Sequence, residues 1–370
     1  MGGNTFLFDR SGRSGLFFRR ILWTVGALWG ILLGSCATIP SRPLPEKDPF
    51  DVLLTALLAL PPGGQLYVGA RIAEARGLRT EIERTLPSNE SIRQGLKVTE
   101  QISMAWYAAG EGRSAWVTLL EGHYPAWQIN WSLWWHPAWE KRHSAEGTPF
   151  WYNAREGLSL QTQEHALVLS NAPEGNPFRE LLNRVKKPAG TSALSIGPQS
   201  PTPENALSSY PMPDKKGFSF FSSRQKGRVI LIGWLNEPLQ TVAASLETLP
   251  VPLSVPIERV FWVLEDIPPE GTEKDSPYCL YLALQTPSVS HARALSALLR
   301  LSQRFAGTLP LSEGPGQDPL VQLLMSLLST GNIQQEETSL VIESEPIPSQ
   351  DIALLFSRLL VYSTAKKTIP

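Results

Sequence analysis

Leu167-Val-Leu-Ser-Asn-Ala-Pro173 returns 173 residues later as Leu340-Val-Ile-Glu-Ser-Glu-Pro346. Each stretch is a strand-like apolar run that ends at a proline, a residue unable to donate to a ladder. Leu181-Leu182 and Leu354-Leu355 follow at the same offset, on helix-like segments. Leu, Val, Pro and the Leu-Leu pair match without a gap, so the chain reads as two related halves.

The segments upstream repeat in the same order. Gln65-Leu-Tyr-Val-Gly-Ala70 leads into residues 71–86, where Ile72, Ala75, Leu78, Ile82 and Leu86 recur at helical spacing. Arg228-Val-Ile-Leu-Ile-Gly-Trp234 leads into residues 238–249, with Leu239, Val242, Leu246 and Leu249 in the same pattern. Two more strands follow in each half. They are residues 101–107 and 115–120 around Gly110-Glu-Gly-Arg113, then 259–264 and 278–284 around a Pro/Gly/acidic loop. Residues 291–305, with Ala294, Leu295, Leu298, Leu299 and Leu301, predict a helix, as do residues 318–328. Each half thus reads strand–helix–strand–strand–helix–strand with a further C-terminal helix. The expected class is α+β: two weakly related ferredoxin-like or split β-α-β halves, with antiparallel sheets and helices on one face.

The N-terminus has a different character. Residues 1–20 carry Arg10, Arg13, Arg19 and Arg20 against Asp9, and residues 21–33 carry no charge. Thirteen helical residues reach roughly 20 Å, short of the roughly 30 Å hydrocarbon core, which is the length of a signal-peptide apolar region. Leu33-Gly34-Ser35-Cys36 follows. This run resembles the lipobox of bacterial lipoproteins. The resemblance implies cleavage after Ser35, with a covalent diacylglyceryl group and an N-acyl chain on Cys36. Several acyl chains hold a protein on a bilayer, since each buried CH₂ contributes about 0.8 kcal/mol. Ala37, rather than Asp, follows the cysteine. By the same resemblance the outer membrane is favoured over the inner.

Composition bounds the rest. Cleavage leaves 335 residues and removes four Arg and one Asp, which takes the formal charge from −1 to −4. Nothing here is basic enough for nucleic acid. With Cys36 lipidated, Cys279 is the remaining thiol, and it lies in an apolar run typical of a buried cysteine. The 32 prolines cluster. The expected organisation is a signal peptide at 1–35, a Pro-rich tether at 36–50, a first domain at 51–187, a Pro/Ser-rich linker at 188–216 and a second domain at 217–370.

The chemistry-bearing residues are few. Six of the twelve Trp fall between residues 127 and 151. On a helix, Trp127, Trp131, Trp134 and Trp135 share a face, with Gln128, Asn130 and Ser132 imperfectly opposite. Such a face could cover the core, stack on sugar rings, dock a peptide or enter a lipid interface. Glu121 and His123 are two apart, yet no spacing of a metal site accompanies them or His136 and His143. No nucleophile elbow, phosphate loop or dinucleotide fingerprint is present in the sequence. The expectation is a lipid-anchored cell-envelope protein acting as a non-catalytic binding or scaffolding module, without metal or free cofactor. Trp127, Trp131, Trp134 and Trp135 are its candidate surface for an envelope protein or glycan. A peptidoglycan hydrolase with an unrecognised carboxylate pair and a subunit of an envelope assembly are the alternatives.

Overall fold

The computed structural model describes residues 48–75, 78, 80, 98–109, 113–144, 147–163, 165–171, 215–238, 256–267, 277–306 and 330–352. The expected signal peptide, Cys36, most of the tether, nearly all of the linker, the helix expected at 318–328 and nearly all of the one expected at 238–249 lie outside these residues, as does most of the helix expected at 71–86. Lys215 and Lys216, the end of the expected linker, lie instead in a 3₁₀ turn.

Among the described residues twelve strands form one sheet. The first half supplies β1 (Leu66–Arg71), β2 (Thr99–Ala109), β3 (Arg113–Gly122), β4 (Glu140–His143), β5 (Pro149–Asn153), β6 (Leu158–Thr162) and β7 (Ala166–Ser170). The second supplies β8 (Arg228–Asn236), β9 (Arg259–Asp266), β10 (Tyr278–Gln285), β11 (Asn332–Glu336) and β12 (Ser339–Glu343). Their spatial order is β11-β12-β10-β9-β8-β1-β2-β3-β7-β6-β5-β4. β1 and β8 meet antiparallel at the centre, with Tyr67 opposite Trp234. Outward from that pair the halves run in one order: β1, β2, β3, β7, β6 on one side and β8, β9, β10, β12, β11 on the other. The two stretches that match at an offset of 173, β7 and β12, occupy corresponding positions.

This order corrects the finer fold expectation. A ferredoxin-like or split β-α-β half sets two of its strands parallel. Every pairing among the described strands is instead antiparallel, and strands adjacent in sequence are mostly adjacent in space. The α+β class stands, with strands dominating. β4, β5, β6 and β11 are strands that the sequence did not announce. β4 reads Glu-Lys-Arg-His and is exposed at every residue, so it carries no alternation to detect.

The helices described in full are α1 (Pro49–Ala59), α2 (Ala126–Trp135), the single turn α3 (Ser219–Ser222) after a 3₁₀ turn (Lys215–Phe218), and α4 (Val289–Ala306). Pro49 opens α1 behind Asp48, whose carboxylate accepts from the Phe50 N–H at 3.1 Å. A proline at that position gives up no intrahelical bond. Phe50, Leu53, Leu54 and Leu57 then pack beside Phe218 and Phe221 on one sheet face, over Tyr67, Val117, Val168, Trp234, Phe261 and Val341. Gly69 lets α1 approach closely: a Cβ there would meet the Leu57 side chain at 3.1 Å. The opposite face holds Trp116, Leu120, Leu160, Leu167 and Leu169 under α2, and Leu284, Leu340 and Ile342 under α4. Helices therefore cover both faces, which corrects the expectation of one. The reason is visible in β7, buried at all five residues. A strand apolar on both sides needs cover on both.

Candidate binding cleft

α2 is a ten-residue helix held by two residues. Ile129 and Leu133, four apart, are buried against Trp116, Leu120, Leu160 and Leu167. Pro137, two residues after the helix, cannot extend it. The remaining surface of α2 is largely tryptophan. Trp127, Trp131, Trp134 and Trp135 are between 62% and 71% exposed. Trp131 and Trp135 meet edge to face, with ring centroids 5.8 Å apart. Trp139 and Trp151, from the same stretch of sequence, are buried in the cluster beneath the helix. One Trp-rich segment is thus divided between core and surface.

Three of the four exposed indoles border a cleft of about 560 Å³. Trp127, Trp131 and Trp134 line it from the helix; Lys141 comes from β4, Pro149 and Trp151 from β5, and Thr162 from β6. Trp135 is not among the lining residues. Asn130 lies at the centre, three residues from Trp127 and four from Trp134, so it belongs to the Trp stripe rather than opposite it as the sequence reading had it. Its Oδ1 accepts from Trp151 Nε1 at 2.7 Å and from Thr162 Oγ1 at 3.0 Å. Two converging donors fix the orientation of that amide and tie α2 to β5 and β6. Trp151 and Lys141 face each other across the β4–β5 ladder. Sequence reasoning missed Asn130, Lys141, Trp151 and Thr162 as neighbours; the one available signal was that Trp151 closes the Trp-rich run.

The other polar groups are engaged elsewhere. Glu121, next to last in β3, accepts from Gln101 Nε2 at 2.8 Å. Burial, with the nearby Glu100 charge, raises its pKa. His123 falls just beyond the strand, with Nε2 3.1 Å from Glu100 Oε1 but outside hydrogen-bond geometry. Glu121 and His123 both lie near Glu100. Among the described residues no group of three His, Cys, Asp or Glu could hold a metal. Tyr124 pairs with Thr99 at 2.8 Å and fixes the chain between β3 and α2.

In the second half, Glu265 is wholly buried, and its Oε1 accepts from the backbone N–H groups of Lys226 and Gly227. Burial again raises its pKa, against the effect of those donors. Lys226 reaches Glu343 at 2.6 Å, and Arg224 pairs with Glu336. These contacts clamp the turn after α3 onto the sheet. Cys279 is buried beside Ser344, and burial pushes its thiol up, the environment of an inert cysteine.

No protein-family model matches the chain, and no curated protein does. Among solved structures, crystal form III of TP0453 is similar at a TM-score of 0.46 and 15% identity, covering 82% of this chain and 97% of that one. Crystal form I of TP0453 gives 0.44 and 14% over the same shares. The fold and site define an α+β protein, mostly strands, with an open aromatic cleft at one end of its sheet.

Proposed function

We propose that this chain is a lipid-anchored cell-envelope binding module and that the cleft beside α2 is its binding site. The observation that carries the reading is the exposure of Trp127, Trp131 and Trp134 around a cleft whose floor is fixed by hydrogen bonds. Exposed indoles in a concave, pre-formed site gain free energy when a ligand covers them. Among the described residues lining the cleft, Lys141 is the only charged one. That favours binding over a two-carboxylate hydrolase, which would set a carboxylate pair about 5–10 Å apart.

The anchor belongs to the same proposal. Residues 1–35 are a signal peptide, and Cys36 carries the acyl chains. The tether places the folded halves, 51–187 and 217–370, off an outer-membrane surface. Metabolic labelling with a radioactive fatty acid tests this: label lost in Cys36→Ala supports the anchor, and label retained refutes it. For the site, the purified full chain is passed over immobilised envelope extract. Retention that falls in Trp131→Ala, with unchanged thermal unfolding, supports the cleft. Equal retention refutes it.

A further inference from the structure

We infer that the ligand of this cleft is an acidic saccharide: a pyranose chain bearing carboxylate groups. The inference rests on the reading of the cleft as the binding site. The aromatic component is the stripe formed by Trp127, Trp131 and Trp134, with Trp151 behind it. A flat indole face is matched by the C–H face of a pyranose ring, and each loses ordered water when they stack.

The polar component narrows the class further. Asn130 Oδ1 already accepts two hydrogen bonds, so the amide has its two N–H donors left to offer. The Trp151 N–H and the Thr162 hydroxyl hydrogen are both taken up by that same oxygen. Lys141 adds three donors and a positive charge. Its neighbour Arg142 is occupied, reaching Glu140 at 2.8 Å and lying 4.0 Å over the Tyr152 ring. Lys141 stands directly across the ladder from Trp151, on the same face of the strand pair. Gln161 also lines the cleft, and its buried Oε1 has no hydrogen-bond partner, so the cleft offers one acceptor beside the Asn130 donors and the Lys141 cation around exposed aromatic faces. The matching ligand presents acceptors and negative charge, with a hydroxyl for Gln161, around an apolar face. A purely aliphatic ligand would cover the Asn130 amide and the Lys141 ammonium without acceptors, which is unfavourable.

Shape separates a saccharide from a bilayer. The cleft volume, about 560 Å³, falls in the range of small-ligand sites. A planar lipid surface would engage Trp135 as readily as its neighbours, yet would not reach Asn130 or Trp151 at the floor.

The test titrates the full chain, held in a detergent without a sugar headgroup, with an α-1,4-linked galacturonate trisaccharide and with its neutral galactose counterpart. Calorimetry and Trp fluorescence follow binding. Phosphatidylglycerol and phosphatidylcholine vesicles form the comparison arms. The acidic trisaccharide is expected to bind about tenfold more tightly than the neutral one at low salt, with the margin shrinking as salt is added. Lys141→Gln removes that margin, and Trp131→Ala weakens both trisaccharides by about tenfold. Both side chains are exposed, and matched thermal midpoints confirm folding. Equal binding of the two trisaccharides, or a silent Lys141→Gln, overturns the acidic assignment. Failure of both trisaccharides to bind overturns the saccharide. If phosphatidylglycerol vesicles then bind and Trp131→Ala abolishes it, the occupant is a lipid surface and the cleft survives as a site. If envelope-extract retention is also indifferent to Trp131→Ala, the reading of the cleft falls with the inference.

Discussion

Replacing Phe218 by alanine should destabilise both halves of the sheet together. Phe218 comes from the short turn before β8 and is wholly buried. Its ring meets Phe261 at 5.0 Å, Phe50 at 5.5 Å and Trp234 at 6.0 Å, each near edge to face. Truncating a buried phenylalanine costs about 3–5 kcal/mol, and such ring pairs contribute about 0.5–1.5 kcal/mol each beyond burial, without being additive. The neighbours have little freedom to close the hole, because Trp234 is itself stacked on Tyr67 at 4.5 Å. A loss near the upper end, about 4–5 kcal/mol, is expected. That is a large share of the roughly 5–15 kcal/mol that holds an ordinary fold. With a urea dependence of about 3 kcal/mol/M, the midpoint would fall by about 1.5 M. Far-ultraviolet circular dichroism and Trp fluorescence should report the same shifted transition. The reason is that the cluster around Phe218 takes Tyr107, Val117 and Val168 from the first half and Phe261, Tyr281 and Val341 from the second. A loss below about 1 kcal/mol, or a two-step curve with one step unmoved, would refute a shared core.

Within α2, Leu133→Ala should cost about 2–5 kcal/mol, whereas Trp131→Ala should change stability by about 0.5 kcal/mol or less; urea midpoints compare them directly, and similar losses would mean that the indole is core. Glu121→Gln should stabilise the protein at pH 8 and do little at pH 4. Burial raises the Glu121 pKa, so the folded chain holds this proton more tightly than the unfolded chain; the stability present below the ordinary carboxylate range is lost as pH rises through the raised one. Denaturation of both proteins at the two pH values checks the sign, and a destabilised variant at pH 8 would contradict it. Gly233→Ala should cost about 1–3 kcal/mol, because a Cβ there would sit 2.5 Å from the Trp262 ring and 2.6 Å from the Tyr67 carbonyl oxygen; a thermal midpoint unchanged from the parent would show that Trp262 moves aside freely.

Alternation, β-branching and proline stops are local signals, and they marked β1, β2, β3, β7, β8, β9, β10 and β12 in the sequence. The repeat of β7 in β12 was legible because corresponding positions in the two halves bury the same pattern: Leu167 and Leu340 on one face, Val168 and Val341 on the other. Helical spacing marked α4 as well, although of the residues in that pattern Leu295 is buried while Leu298 and Leu301 are exposed. What stayed hidden was every feature made by residues distant in the chain. Strand order depends on which edges meet, and no local period records that β1 pairs with β8 across more than 150 residues. The second helical layer was missed because α1 and the Phe218 turn lie at the margins of the repeat, each beside a proline-rich stretch. The Trp-rich run could be placed on a helix from spacing alone. Its division was decided by packing: Ile129 and Leu133 claimed the buried stripe, which left Trp127, Trp131, Trp134 and Trp135 outside and drew Trp139 and Trp151 under. Trp is apolar enough for a core and polar enough for a surface, so its identity does not settle its side of the helix. Only the approach of β4, β5 and β6 turned three of those indoles into the wall of a cleft.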